Sequence, residues 1–203
     1  MKTKLLTTLL TLAASIALFA ADSPAVGTAA PDFSLTDSKG KTQTVSQYKG
    51  KYVVLEWFNP GCPFVQKHYK SDNMQALQKQ FTGKDVVWLT IDSSAPGKEG
   101  YLTPEEANKQ MADWKIKSTA LLLDPEGKVG HEYAATNTPH MYVVDPGGKL
   151  IYSGAIDDKP TANPDDIPGA TNYVKVALEE AMAGKPVTTP TSRAYGCSIK
   201  YAQ

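Results

Sequence analysis

The run "KYVVLEWFNPGCPFVQKHY", residues 51–69, decides the fold. From Lys51 to Phe58 it is apolar, β-branched and aromatic, bounded by Gly50 and by the turn-forming Asn59-Pro60-Gly61. That is the pattern of a central, buried strand. Pro63 then stands where a first helical residue would, since its missing N–H costs nothing there. Phe64, Val65, His68 and Tyr69 continue at helical spacing. Cys62 sits at the junction, at the exit of a strand and the entrance of a helix. In open α/β folds, sites form at this carboxyl end of the strands. A helix N-terminus offers free N–H groups and about half a positive charge, which favours the thiolate, the nucleophilic form. Cys62 is therefore expected to be reactive.

Outward from this run, strands and helices alternate. "DFSLTD" alternates Phe33 and Leu35 with polar residues, as a half-buried strand does, and "DSKGK" turns the chain. "NMQALQKQF" places Met74, Leu77 and Phe81 on one helical face, and "KDVVWLTID" (84–92) is a second buried strand. "TPEEANKQMADWKI" opens with Thr103 as N-cap, Pro104 at the first position and Glu106 completing a capping box. "TALLLDPEGK" is a third strand and "VGHEYAA" a short helix. "PHMYVVDPGGKLIYSGAI" is a hairpin, and "ATNYVKVALEEAMAG" a final helix ended by Gly184. The expectation is one α/β domain over 26–183, with a mostly parallel sheet to which the hairpin adds an antiparallel edge. Residues 184–203 form a Pro/Thr-rich tail.

The chain has 203 residues, with 21 Lys+Arg against 21 Asp+Glu. This balance gives no electrostatic case for nucleic acid. Arg193 is the sole arginine, so a surface that reads phosphates through guanidinium forks is not expected. The basic "MKTK", the apolar "LLTTLLTLAASIALFA" and the small residues of "FAADSPA" read as a secretory signal peptide over about 1–20. No cysteine lies near that cleavage region, which excludes a lipoprotein, so a periplasmic or secreted protein is expected. Outside the cytosol a disulfide persists. The two cysteines, Cys62 and Cys197, allow one intramolecular pairing, either a structural staple or a redox pair.

Two more residues draw notice. Glu56 lies inside the apolar strand, facing either the core or the edge of the site; if buried, its pKa rises and it can pass protons near neutrality. Thr138-Pro139 precedes the hairpin's first strand, where a proline marks the entrance and a cis bond would be a deliberate feature.

"VGTAAPDFSLTDSKGKTQTVSQYKGKYVVLEWFNPGCP", together with "TPHMYVVDPGGKLIYSG", resembles the redoxin superfamily, the AhpC/TSA (peroxiredoxin-like) group. The resemblance runs from about Val26 to Ala183. It implies a thioredoxin-like three-layer sandwich with a central mixed sheet. It also implies Cys62 as nucleophile, Glu56 as a buried acid and Pro139 as a cis-proline against the active thiol. "AYGCSIKY" resembles the tail of a subgroup with a C-terminal cysteine. Some positions depart from the family. Val65 in "CPFV" stands where thioredoxins carry a second cysteine. Asn59 replaces the Thr or Ser of peroxiredoxins and still offers a hydrogen-bond donor. The peroxide-holding arginine falls at Pro139, so Arg193 would have to substitute from the tail.

The resemblance thus implies a thiol-dependent oxidoreductase acting on a peroxide or a disulfide. Cys197 is the only in-chain candidate to resolve the oxidised Cys62. An external thioredoxin-like reductant would restore both thiols, and resolution across a homodimer stays possible. No cofactor is implied. One cysteine with the scattered His68, His131 and His140 is weak ground for a metal site, and packing histidines are the default. The rival reading is a binding module with a permanent Cys62–Cys197 staple.

Overall fold

The computed structural model describes residues 24–202. The signal peptide read over 1–20 lies outside the described residues. The elements are β1 (Leu35–Asp37), β2 (Thr42–Gln43), β3 (Val53–Trp57), α1 (Pro63–Lys70), α2 (Asn73–Thr82), β4 (Val87–Asp92), α3 (Pro104–Asp113) and β5 (Ala120–Leu123). They continue with α4 (Lys128–Glu132), β6 (Asn137–Thr138), β7 (His140–Val144), β8 (Leu150–Gly154), α5 (Tyr173–Met182) and β9 (Cys197–Ser198). Seven strands form one sheet in the order β2-β1-β5-β4-β3-β7-β8, and β6 pairs separately with β9.

The expected run of strands and helices is present, but the sheet is not mostly parallel. Only β3 with β4 and β4 with β5 run parallel; the pairings β1–β2, β1–β5, β3–β7 and β7–β8 are antiparallel. The connections explain this. A parallel pair needs a long crossover, whereas a tight turn can join only antiparallel neighbours. Helices α1 and α2 carry the chain from β3 to β4, and α3 carries it from β4 to β5. The chain turns tightly between β1 and β2 and between β7 and β8.

Two apolar layers sandwich the sheet. On one face α1, α2, α3 and α5 bury residues such as Val65, Phe81, Ala107 and Leu178 against Val54, Trp88, Leu121 and Val143. On the other, Phe33, Val129 and Tyr133 pack against Leu55, Trp57, Leu89 and Tyr142. The alternation of strand side chains across the sheet sorts these sets. The capping box at α3 forms as its sequence demands: Thr103 accepts from the Glu106 N–H, and Glu106 accepts from the Thr103 N–H. Helical spacing breaks between α1 and α2, where Asp72 takes a left-handed conformation at φ 58°. Among the described residues, no helix is long and apolar enough to cross a membrane.

The tail is part of the body rather than a loose extension. Ser192 docks on β8, its hydroxyl accepting from the Ala155 N–H at 2.9 Å beside Tyr152. Gly154 leaves the room for it, since a Cβ there would overlap Ser192. Further on, Tyr195 and Cys197 pack against the first apolar layer, while Ile199 and Tyr201 join the second. The tail therefore crosses from one face of the sheet to the other, over the carboxyl end of β3.

Candidate active site

Buried β3 delivers the chain into the Asn59-Pro60-Gly61 turn, and Cys62 caps α1 with Pro63 behind it. Asn59 shapes this turn. Its side-chain oxygen accepts from the Gly61 N–H at 2.7 Å, and its amide donates to the Glu99 carbonyl at 3.0 Å. Its carbonyl accepts from the Cys62 N–H at 3.1 Å. The Asn59 side chain is thus engaged at both ends, by its own turn and by the loop at Glu99.

The thiol of Cys62 is 1% exposed and donates to the backbone oxygen of Thr138 at 3.0 Å. Thr138-Pro139 is cis, and both residues are buried at the entrance to β7. β7 pairs antiparallel with β3, which brings Pro139 to the same end of the sheet as Cys62. Thr138 also pairs with Cys197, in the short β6–β9 ladder. One residue thus receives the first thiol on its carbonyl and the second in its register. Gly196 is what allows this approach. It adopts φ +125°, and a Cβ on it would overlap the Thr138 oxygen.

Both cysteines are thiols in this structure. Cys197 is half-buried, and its pKa is pushed up to about 12 by burial, by a hydrogen bond with Cys62 and by the charge of Cys62. Cys197 is therefore held in its thiol form beside Cys62. Two of the causes that raise its pKa are Cys62 itself.

Glu56 faces the core, as one of the two orientations expected from sequence. It is fully buried and accepts from Tyr69 Oη (2.7 Å), Gln78 Nε2 (3.0 Å), Trp88 Nε1 (2.7 Å) and Thr90 Oγ1 (3.2 Å). Burial raises its pKa and these donors oppose the rise. None of its partners is a cysteine.

Arg193 is exposed and lines a surface pocket with Asn137 and His140; among the described residues it forms no ion pair. His140 is buried against Tyr142, and burial brings its pKa down to about 4. His131 stacks on Tyr201 in the tail. Sequence reasoning missed Lys67, Asp157 and Tyr195, which meet below the tail beside His68. Their only sequence signal is a lysine next to buried positions of α1.

The fold and the paired thiols define a redoxin-type domain. Residues 26–153 match the model of the AhpC/TSA family, and the chain belongs to that family. It is 28% identical over 138 residues to "Peroxiredoxin Q, chloroplastic" of Triticum aestivum, a match covering 58% of this chain and 62% of the relative. It is 24% identical over 128 residues to "Thiol-disulfide oxidoreductase ResA" of Geobacillus kaustophilus, covering 62% of this chain and 67% of that one. The chain thus spans less than two thirds of the length of the wheat relative. The crystal structure of an uncharacterized conserved protein from Geobacillus kaustophilus superposes with a TM-score of 0.75 at 25% identity, over 88% of this chain and 93% of that one.

Proposed function

We propose that the protein is an exported thiol-dependent oxidoreductase in which Cys62 is the nucleophile and Cys197 the resolving thiol. The observation that carries this reading is the meeting of the two thiols across one residue, Thr138. A static packing of strands needs neither a cysteine at a helix N-terminus nor a second one paired with the residue that receives its thiol.

The cycle has three steps. The Cys62 thiolate attacks the distal oxygen of a hydroperoxide; the O–O bond breaks, the leaving oxygen takes up the proton that the thiol released and departs as alcohol or water, and Cys62 becomes a sulfenic acid. Cys197 then gives up its proton and attacks the Cys62 sulfur. A Cys62–Cys197 disulfide forms and the hydroxyl leaves as water. A thioredoxin-like dithiol then reduces this disulfide by two electrons and is itself oxidised. Thr138 and Pro139 hold the two sulfurs in place, and Asn59 fixes the loop that carries Cys62.

A partner disulfide is the alternative oxidant. Asn59's amide is engaged by Glu99, and no arginine is paired near Cys62. With a disulfide as oxidant, Cys62 forms a mixed disulfide that Cys197 resolves. The intact mass of the reduced protein, before and after one equivalent of hydrogen peroxide, separates the readings. Loss of two hydrogens within one chain, absent in Cys62→Ser and Cys197→Ser, is the expected result. An unchanged mass over minutes would remove peroxide as the oxidant. A bond that then also resists mild dithiols would leave the staple.

A further inference from the structure

One buried carboxylate ties the tail to the site. Asp157 follows β8 and its side chain is 2% exposed. Lys67 and His68, on α1, have side chains at 0% exposure; Lys67 Nζ and His68 Nε2 lie 3.8 and 3.9 Å from Asp157 Oδ2. Lys67 also donates to the Lys159 carbonyl at 2.9 Å, and the Lys159 N–H donates to Asp157 Oδ1 at 3.0 Å. The amide of Asn73 donates to His68 Nδ1 at 2.8 Å, so the proton of the neutral imidazole sits on Nε2, 3.4 Å from the Tyr195 oxygen. The Tyr195 hydroxyl donates to Asp157 Oδ1. The Tyr195 ring packs edge-on to Phe64 and lies under the Lys67 ammonium.

A buried lysine–aspartate pair is not how a fold gains stability: apolar residues of the same volume often do as well. What such a cluster provides is a fixed position. The tail residue it fixes, Tyr195, is two residues before Cys197, and Ser192 anchors the far side on β8. We propose that Asp157 and Tyr195 are positioning residues for the resolving thiol: their contact clasps the tail over Cys62 and sets Cys197 within reach of it. Opening the clasp uncovers Cys62 and takes Cys197 away from it. The consequence for disulfide closure rests on the redox reading given above; the consequence for access to Cys62 does not.

The test uses the full reduced chain. In a Cys197→Ser background Cys62 is the only thiol, and its labelling by N-ethylmaleimide is followed by intact mass. Tyr195→Phe keeps the ring and its packing and removes only the hydroxyl. It is expected to raise the labelling rate about tenfold, as loss of a hydrogen bond to a charged group shifts a local opening. Asp157→Asn acts in the same direction. Thr188→Ala, which removes the hydroxyl's upstream contact to Glu180, leaves the rate unchanged. With Cys197 restored, Tyr195→Phe lets Cys62 oxidise at least as fast as in the wild type. It slows formation of the Cys62–Cys197 disulfide, so excess peroxide carries more of the sulfenic acid to sulfinic acid. Folded Tyr195→Phe protein that labels at the parent's rate would overturn the clasp, even if Asp157→Asn fails to fold. A wild type that forms no disulfide would sink the redox reading and leave the labelling comparison to decide the clasp.

Discussion

Gly196 is the residue on which the geometry of the two thiols turns. Its φ of +125° is strained for any side chain, and a Cβ would meet the Thr138 oxygen, which also receives the Cys62 thiol. Substitution at such a position costs of order 1–3 kcal/mol. Gly196→Ala is expected to lower the melting temperature and to slow closure of the Cys62–Cys197 disulfide, read by trapping free thiols against time after oxidation. An alanine variant that closes at the wild-type rate would show that β9 does not need this close approach. The place of Cys62 between strand and helix was legible in the sequence. The service of Asn59 was not, because its partner Glu99 lies in a loop forty residues on that no local pattern connects to it.

At the scale of elements, Glu56 acts as a fastener. Its carboxylate joins β3 to α1 through Tyr69, to α2 through Gln78 and to β4 through Trp88 and Thr90. Three of the four donors converge on Oε2, a pattern that one amide oxygen can reproduce. Glu56→Gln is therefore expected to keep the fold and most of the activity. Glu56→Ala, which orphans four buried donors, is expected to cost about 3 kcal/mol in denaturant unfolding. Loss of turnover in a Glu56→Gln protein of unaltered stability would instead assign Glu56 a proton-carrying role. The elements themselves were largely readable. The apolar runs at β3, β4 and β5 and the caps of α3 follow local rules, and the packing against them agrees. The short strands β2, β6 and β9 were not readable, since two residues carry no periodicity and owe their pairing to the folded body.

For the molecule as a whole, buried titratable groups pull stability in opposite directions with pH. Burial brings the pKa of His68 down to about 3, aided by Lys67, and that of His140 down to about 4. Both are neutral in the fold and take up protons more readily when unfolded. Their contribution is full above 6.5 and is lost as pH falls toward those values. Asp92 is the reverse: burial raises it from 3.8 to about 7. The folded state keeps its proton, so its contribution is full below 3.8 and is lost as pH rises to about 7. Asp92→Asn is expected to raise the melting temperature relative to wild type by more at pH 8 than at pH 5; an equal difference at both would mean Asp92 ionises freely. The sandwich architecture was visible in the alternation of strands and helices. The path of the tail was not: a Pro/Thr-rich stretch reads as a loose end, and its docking depends on cavities built by Gly154, Asp157 and Thr138, remote in sequence.

The crossing of the tail also sets an order of events during synthesis. A chain emerges from the ribosome N-terminus first, and its domain can begin to fold as it does. Cys62 and the sheet around it are complete before Tyr195 and Cys197 are made. The nascent chain thus passes through a window in which no tail yet lies over Cys62. A message read through only as far as α5 would leave that window permanently open, with Cys62 lacking both the tail and Cys197.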